Sequence, residues 1–362
     1  MHSMPKSIDF LFPHPAAGPT GGYKVVYEYA NRLANDGYDV HIVYSGSIFW
    51  RRKSLYHKFT ACLRYIQKLF QGYSCRSWFA LNERVQEHFT FSLNQRHVPK
   101  ADIYVATSPY TAYYLNEYDD SSKKFYFIQG YENWGEGLKA ILHDTYHYPF
   151  QKIVIASWLQ EMLKKQFHEE SIWIPNGFDF SKFRKTIAVE KKNPFMVTML
   201  YHQMELKDCA MGFRALETVR QHFKDLRVSL FGVPERPKDL PDWFDYYKQP
   251  SDELHNTLNN EAAIFIGTSK TEGWGLTVGE AMMCGQAVCC TDNAGYQEMA
   301  IDGETALVSP VGDSETMANN IIRLIEDEEL RYRIANNGYQ FIQRFTWEES
   351  YHKLKTLFES CD

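Results

Sequence analysis

Glu272-Gly-Trp-Gly-Leu-Thr-Val-Gly-Glu280, preceded by Ala262-Ala-Ile-Phe-Ile-Gly267, is the stretch that decides the fold. The apolar run reads as a short buried strand and Leu276 to Cys284 as the start of a helix, so the glycines fall in a strand-to-helix loop. Gly273 and Gly275 allow the backbone to approach a ligand, and the free N–H groups of a helix start favour an anion. Glu272 stands before the helix and Glu280 in its first turns. One carboxylate is placed to accept hydrogen bonds from a hexose and the other from a ribose, and neither sugar needs a charge to bind.

The same alternation of short apolar runs and helical pattern extends along the chain and gives two doubly wound α/β units. The first has a strand at 8–12, a glycine-containing loop ending in Gly21-Gly22, a helix from about Tyr23 to Asn35, a stop at Gly37 and a strand at 39–44. Further strands are expected at 103–107, 124–128 and 152–156. Charge replaces the apolar pattern at 187–193, which sets the expected division into residues 1–190 and 191–345. The second unit is expected to hold strands at 195–200, 227–231, 262–267, 287–290 and 306–308. Helices are expected at 313–326 and 328–337 with Gly338 as punctuation, and Thr346-Trp-Glu-Glu349 offers a capping box for a last helix.

A chain of 362 residues can bury two cores, and 44% apolar with 23% charged residues is a globular mixture. No apolar run approaches the roughly 20 residues of a membrane span, and no signal-peptide core precedes the first strand, so a cytoplasmic protein is expected. Seven cysteines without a CxxC pair fit reduced thiols, and Cys289-Cys290 reads as buried strand. A net charge of −6 argues against a nucleic-acid partner. That total hides a stretch from Val40 to Asn82 with no Asp or Glu, which carries Arg51, Arg52, Lys53, Lys58, Arg64, Lys68 and Arg76 among aromatic and aliphatic residues. A basic aromatic segment over 49–76 suits an anionic membrane surface, and equally a helix packed on the first unit with a solvated basic face.

The chain resembles the GT-B glycosyltransferases of family 4, whose hallmark is Glu-x7-Glu in this loop and helix. The likeness extends to Ile174-Pro-Asn-Gly-Phe-Asp179 with Phe183, Ala156-Ser157, Lys207, Gly21-Gly22 and Asp302-Gly-Glu-Thr-Ala-Leu-Val-Ser-Pro310. It implies two Rossmann-like domains facing a central cleft, with a C-terminal helix, 346–362, returning to the first domain. It further implies a retaining transferase that takes a sugar from a nucleoside diphosphate and gives it to a hydroxyl of a glycan or lipid-linked glycan in bacterial surface polysaccharide synthesis, at the inner face of the membrane. Tyr201-His202-Gln203 resembles a rhamnosyltransferase-like branch.

Carried over residue by residue, the resemblance makes Lys207 the cation for the donor diphosphate, Glu272 the holder of the sugar and Glu280 that of the ribose. Gly273, Trp274, Gly275, Leu276 and Thr277 line the donor, and Gly21 and Gly22 bring backbone N–H groups to it or to the acceptor. The family's arginine five residues before the lysine is here His202, partly charged near neutral pH, so the phosphate contact is expected to depend on pH. Glu132, in the cluster Gln129 to Trp134, is the candidate for orienting the acceptor hydroxyl, with His14 and Ser108 as neighbours. Tyr247 and Lys248 are candidates for the nucleobase. The chain has no Asp-x-Asp, so neither metal nor cofactor is expected and the sugar nucleotide is a co-substrate. A sugar-nucleotide epimerase, a phosphorylase or a non-catalytic sugar-nucleotide-binding partner would use the same architecture.

Overall fold

The computed structural model describes residues 6–16, 18–47, 55–131 and 143–360. The chain divides into two units, Met1–Pro175 with Ser350–Asp362, and Asn176–Glu349. The first is a parallel sheet of β1 (Ser7–Phe12), β2 (Asp39–Ser45), β3 (Gln86–Thr90), β4 (Ile103–Ala106), β5 (Lys123–Ile128), β6 (Gln151–Val154) and β7 (Ile172–Trp173), in the order β3-β2-β1-β4-β5-β6-β7. Helices α1 (Gly21–Asn35), α2 (Leu55–Gln71), α3 (Pro109–Leu115) and α4 (Ser157–Met162) connect them. The central strands are buried along nearly their whole length, as parallel strands covered on both faces must be. β3 escapes sequence reading because it is a half-buried, polar edge strand, and β7 because it is two residues long.

The second unit repeats the plan with β8 (Asn193–Tyr201), β9 (Arg227–Gly232), β10 (Phe244–Lys248), β11 (Ala262–Gly267), β12 (Ala287–Thr291) and β13 (Ala306–Ser309), ordered β10-β9-β8-β11-β12-β13. Its helices are α5 (Cys209–His222), α6 (Asp252–Glu261), α7 (Leu276–Met283), α8 (Ala294–Gln297), α9 (Ser314–Glu326) and α10 (Glu328–Ile342). Val197, Met199, Leu216, Val228, Ile264, Ile266, Cys289 and Ile321 meet in its core. Cys289 and Cys290 are both buried in β12 as free thiols. In each sheet the strand order reverses once, between β1 and β4 and between β8 and β11, and at such a point the loops leaving the strand C-termini diverge and open a crevice.

Three boundaries differ from the sequence reading. The units divide at Pro175–Asn176, upstream of residue 190, because Asn176–Phe178 runs beside the chain's late segment: Phe178 N–H donates to Phe345 O at 2.9 Å, and a Cβ on Gly177 would lie 2.3 Å from Trp347 N. Gly338 lies inside α10 and does not end it; its missing side chain admits Met282 Cγ and Thr305 O, each 3.2 Å from where a Cβ would sit. Gly21 and Gly22 belong to the first turn of α1, since Lys24 N–H already bonds Thr20 O at 3.0 Å. The last helix, α11 (Trp347–Glu359), starts with Glu349 N–H on Thr346 Oγ1 at 3.2 Å. From Ser350 onward it docks on the first unit, with Tyr351 Oη and Lys355 Nζ at 2.7 and 2.6 Å from Asp36 Oδ2 and the Phe358 ring tilted against Phe125 at 4.8 Å between centroids.

Helix α2 is held through Tyr65, which packs on Phe89 and Phe91, and Gly46 leaves the room for its ring. Its other side exposes Tyr56, Phe59, Leu63, Ile66 and Phe70, a stripe at helical spacing in which Phe59 is 64% and Phe70 88% exposed. Among the described residues no helix is long and apolar enough to cross a membrane.

The expected linker holds an ordered cation. Lys192 is 5% exposed, and its Nζ donates to Asn259 O at 2.9 Å and Asn260 O at 2.6 Å, carbonyls of the last turn of α6 that lack helical donors. Burial pushes the ammonium down to about 7, with Cys284 opposing and Lys185 adding to the fall. The unfolded chain, titrating near about 10.4, then binds the proton where the folded chain does not. Stability from this group therefore rises with pH from about 7 to about 10.4, by at most about 1.4 kcal/mol per pH unit. Denaturant unfolding of the wild type and Lys192→Met should show a stability difference that moves in favour of the wild type across that window. A difference independent of pH contradicts the assignment.

Candidate functional site

The reversal between β8 and β11 assembles a site from two loops of the second unit. After β8 the chain passes through His202 and a short turn, Glu205–Lys207, to Asp208, which is left-handed at φ 42 and caps α5. After β11 it passes through Thr268 and Ser269 to Gly275, left-handed at φ 96, which caps α7. The loops bond to each other: Thr268 Oγ1 donates to Lys207 O at 2.7 Å and Lys270 N–H to Leu206 O at 2.7 Å. At their meeting Lys207 Nζ stands 2.5 Å from Glu272 Oε1, and Ser269 Oγ donates to the same oxygen at 2.6 Å. Both members of the ion pair remain partly solvent-exposed. A recess beside them is lined by Lys207, Thr268, Ser269, Thr277 and Tyr296.

Sequence reading gave Lys207 and Glu272 separate tasks, and the structure brings them into direct contact. A ligand that takes the cation must therefore share it with the carboxylate. Gly275 and Leu276 form the head of α7, where N–H groups without helical partners lie, and Thr277 follows on the recess wall. Gly273 and Glu280 are half-buried, Glu280 within α7. Trp274 is 3% exposed and edge-on to Phe345 at 5.1 Å, so its ring packs the loop and leaves only its backbone to line the donor.

His202 is also corrected. Burial first, then the neighbouring Lys207 cation, pull its pKa below the usual 6.5, with Glu272 opposing. Its Nδ1 accepts the Met204 N–H at 3.0 Å, a bond that protonation there would break. The shift favours the neutral ring, which offers a hydrogen bond where the arginine of the resembled family offers charge. Tyr247 and Lys248 lie on β10, the edge strand, two strand spacings or about 9.6 Å from β8. Lys248 is paired with Glu235, and the following Gln249, left-handed at φ 45, donates its N–H to Gly232 O at 2.7 Å.

In the first unit, Gly21 and Gly22 open α1 at the C-terminal side of β1. Gln129, at the end of β5, donates from Nε2 to Gly22 O at 3.0 Å. Ser108 is the N-cap of α3 and its hydroxyl accepts the Thr111 N–H, while His14 is exposed. Glu132 and the basic residues Arg51, Arg52 and Lys53 lie outside the described residues. His143 and His147, four positions apart, are engaged separately, by Tyr131 Oη at 3.1 Å and Glu169 Oε1 at 3.2 Å. Among the described residues no group of three or more His, Cys, Asp or Glu side chains is arranged to hold a metal ion. Sequence reasoning missed Ser269 and Tyr296, because a single serine and a single tyrosine outside the glycine-rich motif carry no motif of their own.

Residues 239–341 match the family described as "Glycosyl transferases group 1". A phosphatidyl-myo-inositol mannosyltransferase of Mycolicibacterium smegmatis is 21% identical over 233 residues, 62% of this chain and 60% of that protein. An uncharacterized glycosyltransferase of Methanocaldococcus jannaschii is 29% identical over 99 residues, 27% of this chain and 28% of that protein. The chain thus covers less than two-thirds of the length of these curated relatives. Among solved structures, Anabaena Alr3699/HepE in complex with UDP and glucose superposes with a TM-score of 0.73 at 16% identity, over 98% of this chain and 100% of that one. Sucrose-phosphate synthase from Thermosynechococcus elongatus gives 0.72 at 15% identity, over 98% and 99%. The family match thus lies within the second unit, at residues 239–341, and the chain has a GT-B fold of two Rossmann-like units.

Proposed function

We propose that the protein is a retaining glycosyltransferase that moves a sugar from a nucleoside diphosphate to a hydroxyl of a glycan or lipid-linked glycan in surface polysaccharide synthesis. The observation that carries this reading is the Lys207–Glu272 pair at the head of α7, a cation and a carboxylate 2.5 Å apart where the strand order reverses. A sugar diphosphate has an anion and a hydroxyl-bearing ring on adjacent groups, and such a pair meets both. In the proposed step the bond from the anomeric carbon to the phosphate oxygen breaks and the bond to the acceptor oxygen forms on the same face, while the acceptor proton passes to the departing phosphate. Lys207 and the N–H groups that open α7 stabilise the charge growing on that phosphate. Glu272 holds the sugar, Glu280 the ribose, and Tyr247 and Lys248 flank the base. His202 contributes a neutral hydrogen bond, and no metal ion takes part.

UDP-glucose is the first probe, because UDP and glucose occupy the Anabaena neighbour. Release of UDP that requires an acceptor favours transfer over epimerisation, phosphorolysis or binding alone. Lys207→Ala should lower turnover by about a hundredfold, the scale of one lost transition-state donor. By calorimetry Glu280→Ala should weaken UDP and UDP-glucose alike, whereas Glu272→Ala should weaken only UDP-glucose. Equal losses for both ligands in both variants contradict the assignment of roles.

The lipid side of the reading rests on α2. Its exposed stripe lies in the acid-free stretch from Val40 to Asn82, and apolar side chains with basic neighbours suit an anionic bilayer surface. The mycobacterial relative is named for phosphatidyl-myo-inositol, a lipid. The protein should cosediment with vesicles containing phosphatidylglycerol and not with pure phosphatidylcholine, and salt should weaken the binding. Replacing Phe59 and Phe70 by Ser should reduce cosedimentation at least tenfold without changing transfer to a short soluble acceptor. Wild-type protein that ignores anionic vesicles at low salt contradicts membrane docking.

A further inference from the structure

Tyr296 is a buried wedge behind the Glu272 loop. Its residue is 2% exposed, and its ring fills the space left by two missing side chains: a Cβ on Gly267 would lie 3.0 Å from Cε2, and one on Gly275 would lie 2.6 Å from Cδ1. The next glycine, Gly295, lets the Glu272 backbone pass, since a Cβ there would lie 2.4 Å from Glu272 O. The ring carries a hydroxyl into this apolar seat, and Oη finds Ser269 Oγ at 3.1 Å. Burial raises the Tyr296 pKa well above the ordinary value, so the hydroxyl keeps its proton and donates it.

Ser269 is fixed from its backbone: Thr291 Oγ1 and Asn293 Nδ2 donate to its carbonyl at 2.5 and 3.0 Å. Asn293 also caps α8, accepting the N–H of Tyr296 at 3.1 Å, so one asparagine ties the serine to the helix that carries the tyrosine. From Ser269 Oγ the hydrogen bond continues to Glu272 Oε1 at 2.6 Å, the oxygen that Lys207 also contacts. All donations run one way, from Tyr296 through Ser269 to the carboxylate, an arrangement in which each bond polarises the next. Oε1 thereby receives two donors, while among the described residues Oε2 receives none.

We infer that Tyr296 and Ser269 are positioning residues for Glu272, fixing Oε1 so that Oε2 is presented to a hydroxyl of the donor sugar. This rests on the proposal that Glu272 holds that sugar. Lys207 alone would leave the carboxylate free to swing about a single contact. With Ser269 added, the carboxylate plane is set by two, and the buried tyrosine prevents the serine hydroxyl from rotating away. Discrimination between a sugar nucleotide and the bare nucleoside diphosphate then depends on two residues that act through Glu272.

The test uses UDP-glucose turnover and calorimetry with UDP and UDP-glucose on the full chain. Tyr296→Phe keeps the ring between Gly267 and Gly275 and deletes only the donor, so it should melt with the wild type, lower kcat/KM by about three- to tenfold and leave UDP affinity unchanged. Ser269→Ala removes a bond to a charged group and should cost about ten- to a hundredfold, again sparing UDP. Because the relay is serial, the double variant should be no worse than Ser269→Ala, whereas two independent packing defects would multiply. Multiplicative losses, or equal loss of UDP and UDP-glucose affinity, overturn the relay. So does a wild type that binds and transfers while both single variants match it. A wild type that binds neither ligand and turns over no sugar nucleotide overturns the donor reading itself and the relay with it.

Discussion

Two loops that leave neighbouring strands on opposite sides of a sheet have no reason to meet unless something holds them together. Here the loops after β8 and β11 are joined by Thr268 on Lys207 O, by Lys270 on Leu206 O and by the Lys207–Glu272 ion pair. The first two bonds fix the backbones, and the third then follows from side-chain reach. The pair is partly exposed, and such a pair adds on the order of 1 kcal/mol or less to stability. Its consequence is chemical: a cation and a carboxylate are held in contact beside a helix head, so that any group bound by one is felt by the other.

Close approach is the other constraint, and glycine meets it at two kinds of place. Gly275 adopts φ 96 to turn the chain into α7, and Gly295 lies against the Glu272 backbone where a Cβ would collide at 2.4 Å. Farther from the site, Gly177 lets the segment after Pro175 pass Trp347. Only the first of these was readable from local sequence, because a left-handed turn before a helix has a local signature and a long-range approach does not. Gly338, read as a helix stop, is instead a contact point inside α10.

Strand alternation made both sheets legible, since buried parallel strands are near-continuous apolar runs such as Ala262 to Gly267. The edge strands Gln86–Thr90 and Phe244–Lys248 are absent from the strands expected from sequence, because they alternate weakly. At the site the charged residues and glycines were visible and their partners were not. Trp274 looked like a ligand contact because it sits inside the motif, yet its neighbour Phe345 lies 71 positions away and draws it inward. The pull on His202 likewise comes from burial and from Lys207, which spacing alone does not express. Ser269 and Tyr296 are 27 residues apart and acquire a role only when β12 and α8 bring them to the same carboxylate.

We propose that a sugar nucleotide binds at the Lys207–Glu272 contact. The most direct measurement is a crystal structure of the protein with UDP-glucose. The diphosphate should lie within hydrogen-bond distance of Lys207 Nζ and the N–H groups that open α7, and a glucose hydroxyl should rest on Glu272 Oε2 while Ser269 keeps Oε1. Ligand density at another surface, with the Lys207–Glu272 pair untouched, would contradict the claim.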